Sequence, residues 1–334
     1  MKEWLPFIGL TLLLLALSPA PAALNAGGPG RQISATHWQF LPVVQRRYTP
    51  PEPCRPAFDE DRLLLTIDTT AGIERLRTAD LNGDGWTDAI VARMIWQTRK
   101  MFEISVLVND QQGGLVDATH EVFEGPVPKV QHPARILLRD FNRDGRTDVF
   151  IADHGMDADP FPGGQNVLAL SVPGGKLADA TANVPQQLDG THSAAAADVD
   201  ADGDVDLYIG NLGAGGGVPP QIWLNDGSGG FTVAQGLLPA AQTDLMRNWY
   251  TGCGFADVNN DGFPDLILGQ GDPNRDSHVL VNDGTGSFTK LETPLPPTIS
   301  SPNQQILDIK AADITNDGYV DLFVVDTRSS YVGR

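Results

Sequence analysis

The sequence predicts an all-β protein built from repeated units of about 60 residues. A nine-residue acidic frame occurs five times, each copy precedes a short apolar run, and Asn-Asp-Gly turns separate further apolar runs. The first aspartates of the frames are 60, 58, 59 and 56 residues apart. Such a steady period is typical of a repeat protein, in which each unit buries its apolar face only against its neighbours.

Each frame has the oxygen spacing of a loop that binds a hard cation. Side chains at positions 1, 3, 5 and 9 point inward when the chain coils tightly, and the carbonyl of position 7 completes the cage. Calcium takes roughly six to eight oxygens and tolerates irregular geometry, whereas magnesium demands an octahedron, so the frames predict up to five Ca²⁺ ions. The expected ligands are Asp80, Asn82, Asp84, Trp86 and Asp88 (loop 1); Asp140, Asn142, Asp144, Arg146 and Asp148 (loop 2); Asp198, Asp200, Asp202, Asp204 and Asp206 (loop 3); Asp257, Asn259, Asp261, Phe263 and Asp265 (loop 4); and Asp313, Thr315, Asp317, Tyr319 and Asp321 (loop 5).

Position 12 distinguishes these loops from an EF-hand, which places a bidentate glutamate there. The five residues at that position are all apolar: Val91, Ile151, Ile209, Leu268 and Val324. The apolar runs around them read as buried strands and not as an exiting helix. A glycine at position 6 of every loop allows the sharp turn. Each unit is therefore predicted to be strand, calcium loop, strand.

A second motif adds two more strands to each unit. Hairpins are predicted where Asn-Asp lies between apolar stretches, because this is turn chemistry. They span residues 106–119, 222–235 and 279–292, with a degenerate copy at 168–181. Each repeat then supplies four strands, which is one blade of a β-propeller.

These motifs resemble the FG-GAP repeats, also described as VCBS repeats, of integrin α-chain propellers and many bacterial exported proteins. The resemblance covers roughly residues 71–334, or about four and a half units. It implies a β-propeller of four-stranded blades with calcium-binding loops. Propellers of this family more often have about seven blades, so the chain is expected to be a fragment of a longer protein. The alternative is a five-bladed propeller closed by residues 36–70.

The N-terminal region divides into two segments. Residues 1–22 read as a secretory signal peptide, because Lys2 precedes an apolar run that ends near an Ala-Pro-Ala cleavage pattern. Residues 23–70 contain a proline-rich connector and a possible closing strand. Cys54 and Cys253 are the only cysteines. An exported chain allows them to form a disulfide, but a buried thiol at Cys253 is equally ordinary, and the sequence leaves both open.

Charge and motif searches exclude several function classes. The net charge of −19 argues against nucleic acid as a partner, and 17 of the aspartates lie inside the five loops. The chain has no sequence signature of a hydrolase nucleophile, a zinc protease or a phosphate-binding loop. His154, with Asp153, Asp157 and Asp159 nearby, is the closest approach to a catalytic cluster. A solvated acidic loop explains that pattern more simply.

The sequence therefore favours a non-enzymatic, exported, calcium-stabilised module for adhesion or recognition of a protein or glycan. Two alternatives stay open, namely the scaffold of an extracellular enzyme such as a polysaccharide lyase or phospholipase, and a passive spacer. The ligand is expected at the end of the blades opposite the calcium loops, where connections vary in length. Aromatic residues proposed for this face are Trp96, Phe161, Trp249 and Tyr250, although Trp249 and Tyr250 could instead pack between blades.

Overall fold

The computed structural model describes residues 72–95, 99–212, 217–240, 249–271, 276–291 and 305–327, together with three short strands near the N-terminus. These strands are β1 (Thr11–Leu15), β2 (Leu17–Pro19) and β3 (Trp38–Phe40), and β2 pairs with β3. The chain forms two compact units. One contains residues 1–47, 250–283 and 288–334, and the other contains residues 48–249 and 284–287.

The larger unit contains the first three repeats. Repeat 1 has β4 (Gly72–Ala79), β5 (Asp88–Met94), β6 (Phe102–Glu103), β7 (Ser105–Asn109) and β8 (Leu115–Asp117). A short helix, α1 (Thr119–Val122), leads to β9 (Phe123–Glu124) and β10 (Lys129–Val130). Repeat 2 has β11 (Pro133–Arg139), β12 (Asp148–Asp153), β13 (Val167–Val172) and β14 (Lys176–Asp179). Repeat 3 has β15 (Thr191–Ala197), β16 (Asp206–Asn211), β17 (Gln221–Asn225) and β18 (Phe231–Ala234).

The smaller unit contains the last two repeats. Repeat 4 has β19 (Tyr250–Ala256), β20 (Asp265–Gln270), β21 (His278–Asn282) and β22 (Phe288–Lys290). Repeat 5 has β23 (Gln305–Ala312) and β24 (Asp321–Thr327). In this sheet β1 pairs antiparallel with β24, so its third strand comes from residues 11–15.

The predicted strand order is confirmed in the four repeats that have four strands. Each is an antiparallel sheet in chain order, β4-β5-β7-β8, β11-β12-β13-β14, β15-β16-β17-β18 and β19-β20-β21-β22. The degenerate hairpin of repeat 2 also forms, and β9 extends that sheet by pairing in parallel with β14. Every nine-residue loop connects the first strand to the second strand of its sheet. The end of each sheet that carries this loop is called the loop end below, and the other is called the opposite end.

Alternating residues of the second strand pack against different neighbours. In β12, Val149 and Ile151 belong to a core shared with repeat 1, whereas Phe150 and Ala152 belong to a core shared with repeat 3. This follows from the pleat, because successive side chains of a strand point to opposite faces. A strand buried on both faces must be apolar throughout, which explains the continuous apolar runs after each loop.

The first strand of every repeat is irregular near its start. The pairing register shifts at one residue in each, always six residues before the first aspartate of the loop. The residues skipped are Glu74, Ala134, His192, Thr251 and Leu307. Sequence patterns did not predict this bulge, since the five residues share no chemistry. A bulge redirects side chains at the end of a strand and is common beside functional sites.

Several predictions about the N-terminal region stay predictions. Cys54, most of the signal peptide and nearly all of residues 36–70 lie outside the described residues. Cys253 is buried on β19. Within the part of the chain that the structure describes, no helix is long and apolar enough to cross a membrane.

Candidate metal centre

The five loops share one hydrogen-bonded turn. The carboxylate at position 1 accepts hydrogen bonds from the backbone N–H groups of positions 5 and 6, at 2.8–3.2 Å in every loop. The carboxylate at position 5 accepts the N–H of position 7 at 2.8–3.0 Å. These bonds coil the chain so that the oxygens of positions 1 and 5 lie on the inner side. The sequence frame therefore has a direct backbone explanation.

Two positions of the turn adopt left-handed backbone conformations. The glycine at position 6 has φ between 80° and 93° in all five loops, as its residue type predicts. Position 4 is also left-handed, with φ between 56° and 77°, and its residue type varies. The residues at position 4 are Gly83, Arg143, Ala201, Asn260 and Asn316. Glycine and asparagine tolerate this conformation, whereas alanine and arginine are strained there.

The aspartate at position 9 is the buried anchor of the loop. In loop 3, Asp206 is fully buried, and its two oxygens accept the N–H groups of Val199 and Asn225, both at 2.9 Å. One bond fixes the start of the loop and the other fixes the third strand. The other four-stranded repeats repeat this arrangement, through Asp88, Asp148 and Asp265.

The hairpin asparagine is a structural partner that the sequence reasoning missed. Its side-chain N–H donates to the carbonyl of position 8 in three repeats, from Asn109 to Thr87, from Asn225 to Val205 and from Asn282 to Pro264, at 3.1–3.2 Å. The Asn-Asp-Gly motif was interpreted only as turn chemistry. Its recurrence 27 residues after position 1 in loops 3 and its absence at the same place in repeat 2, where Ser171 stands instead, are the available signals. Ser171 donates its hydroxyl to Asp144 at 2.8 Å.

Loop 3 offers the most direct evidence for a cation site. One oxygen each of Asp198, Asp200 and Asp206 lie within 4.8 Å of one another. The Oδ1 atom of Asp200 is shielded from solvent and has no hydrogen-bond partner among the described residues. A buried carboxylate oxygen without a partner is costly unless a cation or a donor satisfies it. The residues therefore fit a hard divalent cation.

The electrostatics of loop 3 agree with this. Burial raises the pKa of Asp206 to about 7, and the carboxylates of Asp200 and Asp202 act in the same direction. Burial also raises the pKa of Asp200, followed by the charge of Asp202. Carboxylates that disfavour one another's ionised form gain from a divalent cation between them.

Loops 1, 2 and 4 have an asparagine at position 3 in place of Asp200. In these loops the Asn side-chain N–H donates to the position 5 carboxylate, for example from Asn82 to Asp84 at 3.1 Å and from Asn259 to Asp261 at 2.8 Å. The amide therefore lowers the carboxylate repulsion that loop 3 retains. In loop 5 the backbone N–H of Thr315 donates to Asp321 at 2.9 Å.

Consecutive loops also touch through position 4. Arg143 of loop 2 forms an ion pair with Asp204 of loop 3 at 2.6 Å and donates to the carbonyl of Gly203 at 3.2 Å. Asn260 of loop 4 donates to the carbonyl of Gly318 in loop 5 at 3.2 Å, which is the same contact one unit further on. The carboxylate of Asp204 is thus used by Arg143, consistent with a ligand role for its carbonyl alone.

The residues predicted for the ligand face have different environments. Phe161 and Trp249 are 44% and 51% exposed. Tyr250 is only 1% exposed and packs edge-on against His278, so its side chain belongs to the core and not to a surface that binds a ligand. Trp96 lies outside the described residues. His154 is buried, and the prediction of a solvated loop does not hold for its side chain.

Comparison with protein families identifies the repeats. The model of the FG-GAP-like repeat matches residues 80–151, 140–209 and 257–324. These matches cover more than half of the chain and include all five loops, so the chain belongs to the FG-GAP-like repeat family. No curated protein matches the chain.

Proposed function

We propose that this chain is an exported, calcium-stabilised β-propeller that presents a recognition surface for an extracellular protein or glycan. The observation that carries the proposal is the unpartnered, buried Oδ1 of Asp200 within a cluster of three carboxylates. Family membership adds support, because FG-GAP repeats are often calcium-binding and usually occur in extracellular proteins.

Calcium would have a structural role in this protein. The proposed ligands are the side-chain oxygens of positions 1, 3, 5 and 9 and the carbonyl of position 7. Because the loops are hydrogen-bonded to the hairpins through position 9, an ion in the loop would stabilise the whole loop end of the sheet. Extracellular calcium is high enough to fill sites with dissociation constants of about 0.1–1 mM. No step of a reaction requires the ion.

The recognition surface is proposed for the opposite end of the repeats. The connections there differ in length and composition, as binding loops on a rigid scaffold do. Two exposed aromatic side chains, Phe161 and Trp249, lie on such connections. Large exposed aromatic side chains anchor protein partners and stack on flat apolar surfaces.

Calcium titration calorimetry tests the metal part of the proposal. Asp202→Ala removes a carboxylate ligand of loop 3, whereas Asp204→Ala removes a carboxylate that binds Arg143 and leaves the position 7 carbonyl in place. We expect loss of one calcium site in the first variant and retention of all sites in the second. Equal losses in the two variants would contradict the ligand assignment.

Binding to an array of glycans and extracellular proteins tests the recognition part. Calcium-loaded protein is compared with Trp249→Ala and with Trp86→Ala, in which an equally exposed tryptophan is removed from the loop end. We expect loss of binding only in Trp249→Ala, with the melting temperature unchanged in both. If only the loop-end variant loses binding, the ligand surface lies at the loop end and the proposed placement is wrong.

A further inference from the structure

Three histidines meet at the opposite end of repeats 2 and 3. His132 precedes β11, His154 follows β12, and His192 is the bulge residue of β15. The ring of His154 lies 5.3 Å from each of the other two rings, centroid to centroid, in edge-on contacts at 64° and 89°. Each histidine belongs to a different connection, so the contact exists only in the folded unit.

Two arginines from neighbouring first strands lie beside these histidines. The Nε atom of Arg75 and an Nη atom of Arg135 both donate to the carbonyl of Ala134, at 2.7 and 2.8 Å. Ala134 is the bulge residue of β11, so the irregular backbone provides the carbonyl on which both guanidinium groups converge. Both arginines are partly exposed.

The histidines have unused hydrogen-bonding capacity. The Nδ1 atoms of His154 and His192 are shielded from solvent and have no hydrogen-bond partner among the described residues. His154 is 5% exposed, so nearly all of its side chain is buried. Burial is the main cause that lowers the pKa of His192 to about 3, and His154, Arg135, His132 and Arg75 act in the same direction.

Acidic side chains near the cluster are few and largely occupied. Asp153 accepts the backbone N–H groups of Gln131, His132 and Gly155, at 2.6–3.0 Å. Asp157 and Asp153 raise the pKa of His154, but burial and His132 outweigh them. In a chain with a net charge of −19, two guanidinium groups and three imidazoles therefore gather at one place. Such an arrangement attracts an anion.

A transition-metal site is the other chemistry that three histidines could provide. Within the described ranges, however, the only group with ligand atoms close enough to share an ion is the carboxylate cluster of loop 3. The edge-on stacking of the rings separates the ring nitrogens instead of directing them to one point. The guanidinium pair also repels a cation, so the observations favour an anion.

We propose that this cluster, defined by Arg75, Arg135, His132, His154 and His192, binds the carboxylate group of a sugar acid. Planar guanidinium groups pair with carboxylates through two parallel hydrogen bonds, and an imidazole N–H adds a further donor. The inference specifies the ligand of the recognition surface proposed above and rests on that function. It does not depend on the calcium loops, which lie at the other end of the sheets.

The carrier is assigned to a sugar because of Phe161. This exposed ring lies on the connection that begins at His154. Gly155 and Gly163 approach so closely that a Cβ on Gly155 would lie 2.1 Å from the carbonyl carbon of Gly163. The connection therefore folds back on itself and returns Phe161 toward His154. An aromatic face beside an anion site suits a ring-shaped carrier with apolar C–H faces.

Calorimetric titration of the calcium-loaded full chain with glucuronate tests this site, with glucose as the neutral probe. We expect glucuronate to bind and glucose not to bind. Arg135→Gln should weaken glucuronate binding by about tenfold or more, because a hydrogen bond to a charged group is lost. The matched control is Arg139→Gln on the same strand, where the exposed arginine faces the loop end and binding should be unchanged.

A second variant protects the test against a folding defect. Arg135→Lys keeps the charge but removes the planar fork, so it should bind glucuronate more weakly than the native chain and more strongly than Arg135→Gln. The melting temperature of each variant establishes that it is folded.

Three results would overturn the inference: equal binding of glucuronate and glucose, equal losses in Arg135→Gln and Arg139→Gln, or a response to Zn²⁺ but not to glucuronate. If glucuronate fails to bind while calcium still stabilises the chain, the inference fails and the calcium-stabilised propeller stands. If glucuronate binds while calcium has no effect, the reverse holds.

Discussion

The two ends of the repeats use a uniform backbone in opposite ways. At the loop end, both the residues and the hydrogen bonds repeat, and each loop has the same carboxylate at positions 1, 5 and 9. At the opposite end, every first strand has a bulge at the same place, but the residues on and beside it are all different. A constant backbone with constant side chains indicates a structural device, whereas a constant backbone with varied side chains suits a surface that can specialise.

The largest expected effect comes from removing calcium, which acts only on the loop end. At free calcium about ten times the dissociation constant, each site contributes roughly 1.4 kcal/mol. Five independent sites would contribute about 7 kcal/mol, comparable with the whole net stability of a typical domain, about 5–15 kcal/mol. Excess chelator should therefore lower the melting temperature by many degrees. A melting curve that is the same with and without chelator would refute calcium stabilisation.

The second prediction separates the structural role of position 9 from metal binding. Asp206→Ala leaves the buried N–H groups of Val199 and Asn225 without their acceptor, which should cost about 4 kcal/mol at roughly 1–3 kcal/mol for each. Asp202 is exposed, and Asp202→Ala should cost much less once calcium is absent. Urea unfolding in excess chelator measures both. If the two variants lose the same stability without calcium, Asp206 acts only as a ligand.

Most of the loop end could be predicted from the sequence because it depends on local spacing. An oxygen every second residue and a glycine at position 6 define a turn whose bonds join residues at most five apart. The third-strand partner of position 9 could not be predicted, because Asp206 and Asn225 meet only after the sheet has formed.

The opposite end resisted prediction for the same physical reason. His132, His154 and His192 lie up to 60 residues apart in sequence and have no common spacing. Their contact depends on which strands become neighbours and on a bulge that no residue type marks. Phe161 and Trp249 were correctly placed on connections, but the burial of Tyr250 depends on packing that an alternating pattern does not reveal.

The third prediction tests the buried polar network of the opposite end through pH. Asp189 is fully buried and accepts hydrogen bonds from Thr191 at 2.6 Å and Gln187 at 3.0 Å, and burial raises its pKa to about 6. The folded state therefore binds this proton more tightly than the unfolded state. Its contribution to stability is complete below pH 4 and is lost as the pH rises through 6, with a total of about 3 kcal/mol.

The comparison that isolates this group uses two variants. Asp189→Asn should remove the loss of stability between about pH 4 and pH 6, whereas Asp179→Asn, at an exposed aspartate, should keep the native pH profile. Urea unfolding at several pH values in saturating calcium gives the difference between each variant and the native chain. Parallel profiles for all three proteins would show that Asp189 ionises normally in the folded state.

The smallest expected effect concerns the strained backbone at position 4 of the loops. Ala201 has φ of 61°, and Gly83 occupies the same place in loop 1 with φ of 77° and open space where a Cβ would lie. Ala201→Gly should therefore stabilise the chain by about 0.5–1 kcal/mol, and Gly83→Ala should destabilise it by a similar amount, because only backbone strain changes. Asn316→Gly should change little, since asparagine already tolerates this conformation. Thermal unfolding in saturating calcium compares the three variants. If Ala201→Gly and Gly83→Ala shift the melting temperature in the same direction, backbone conformation does not decide the residue at position 4, and the similarity of the five loops depends on their side chains alone.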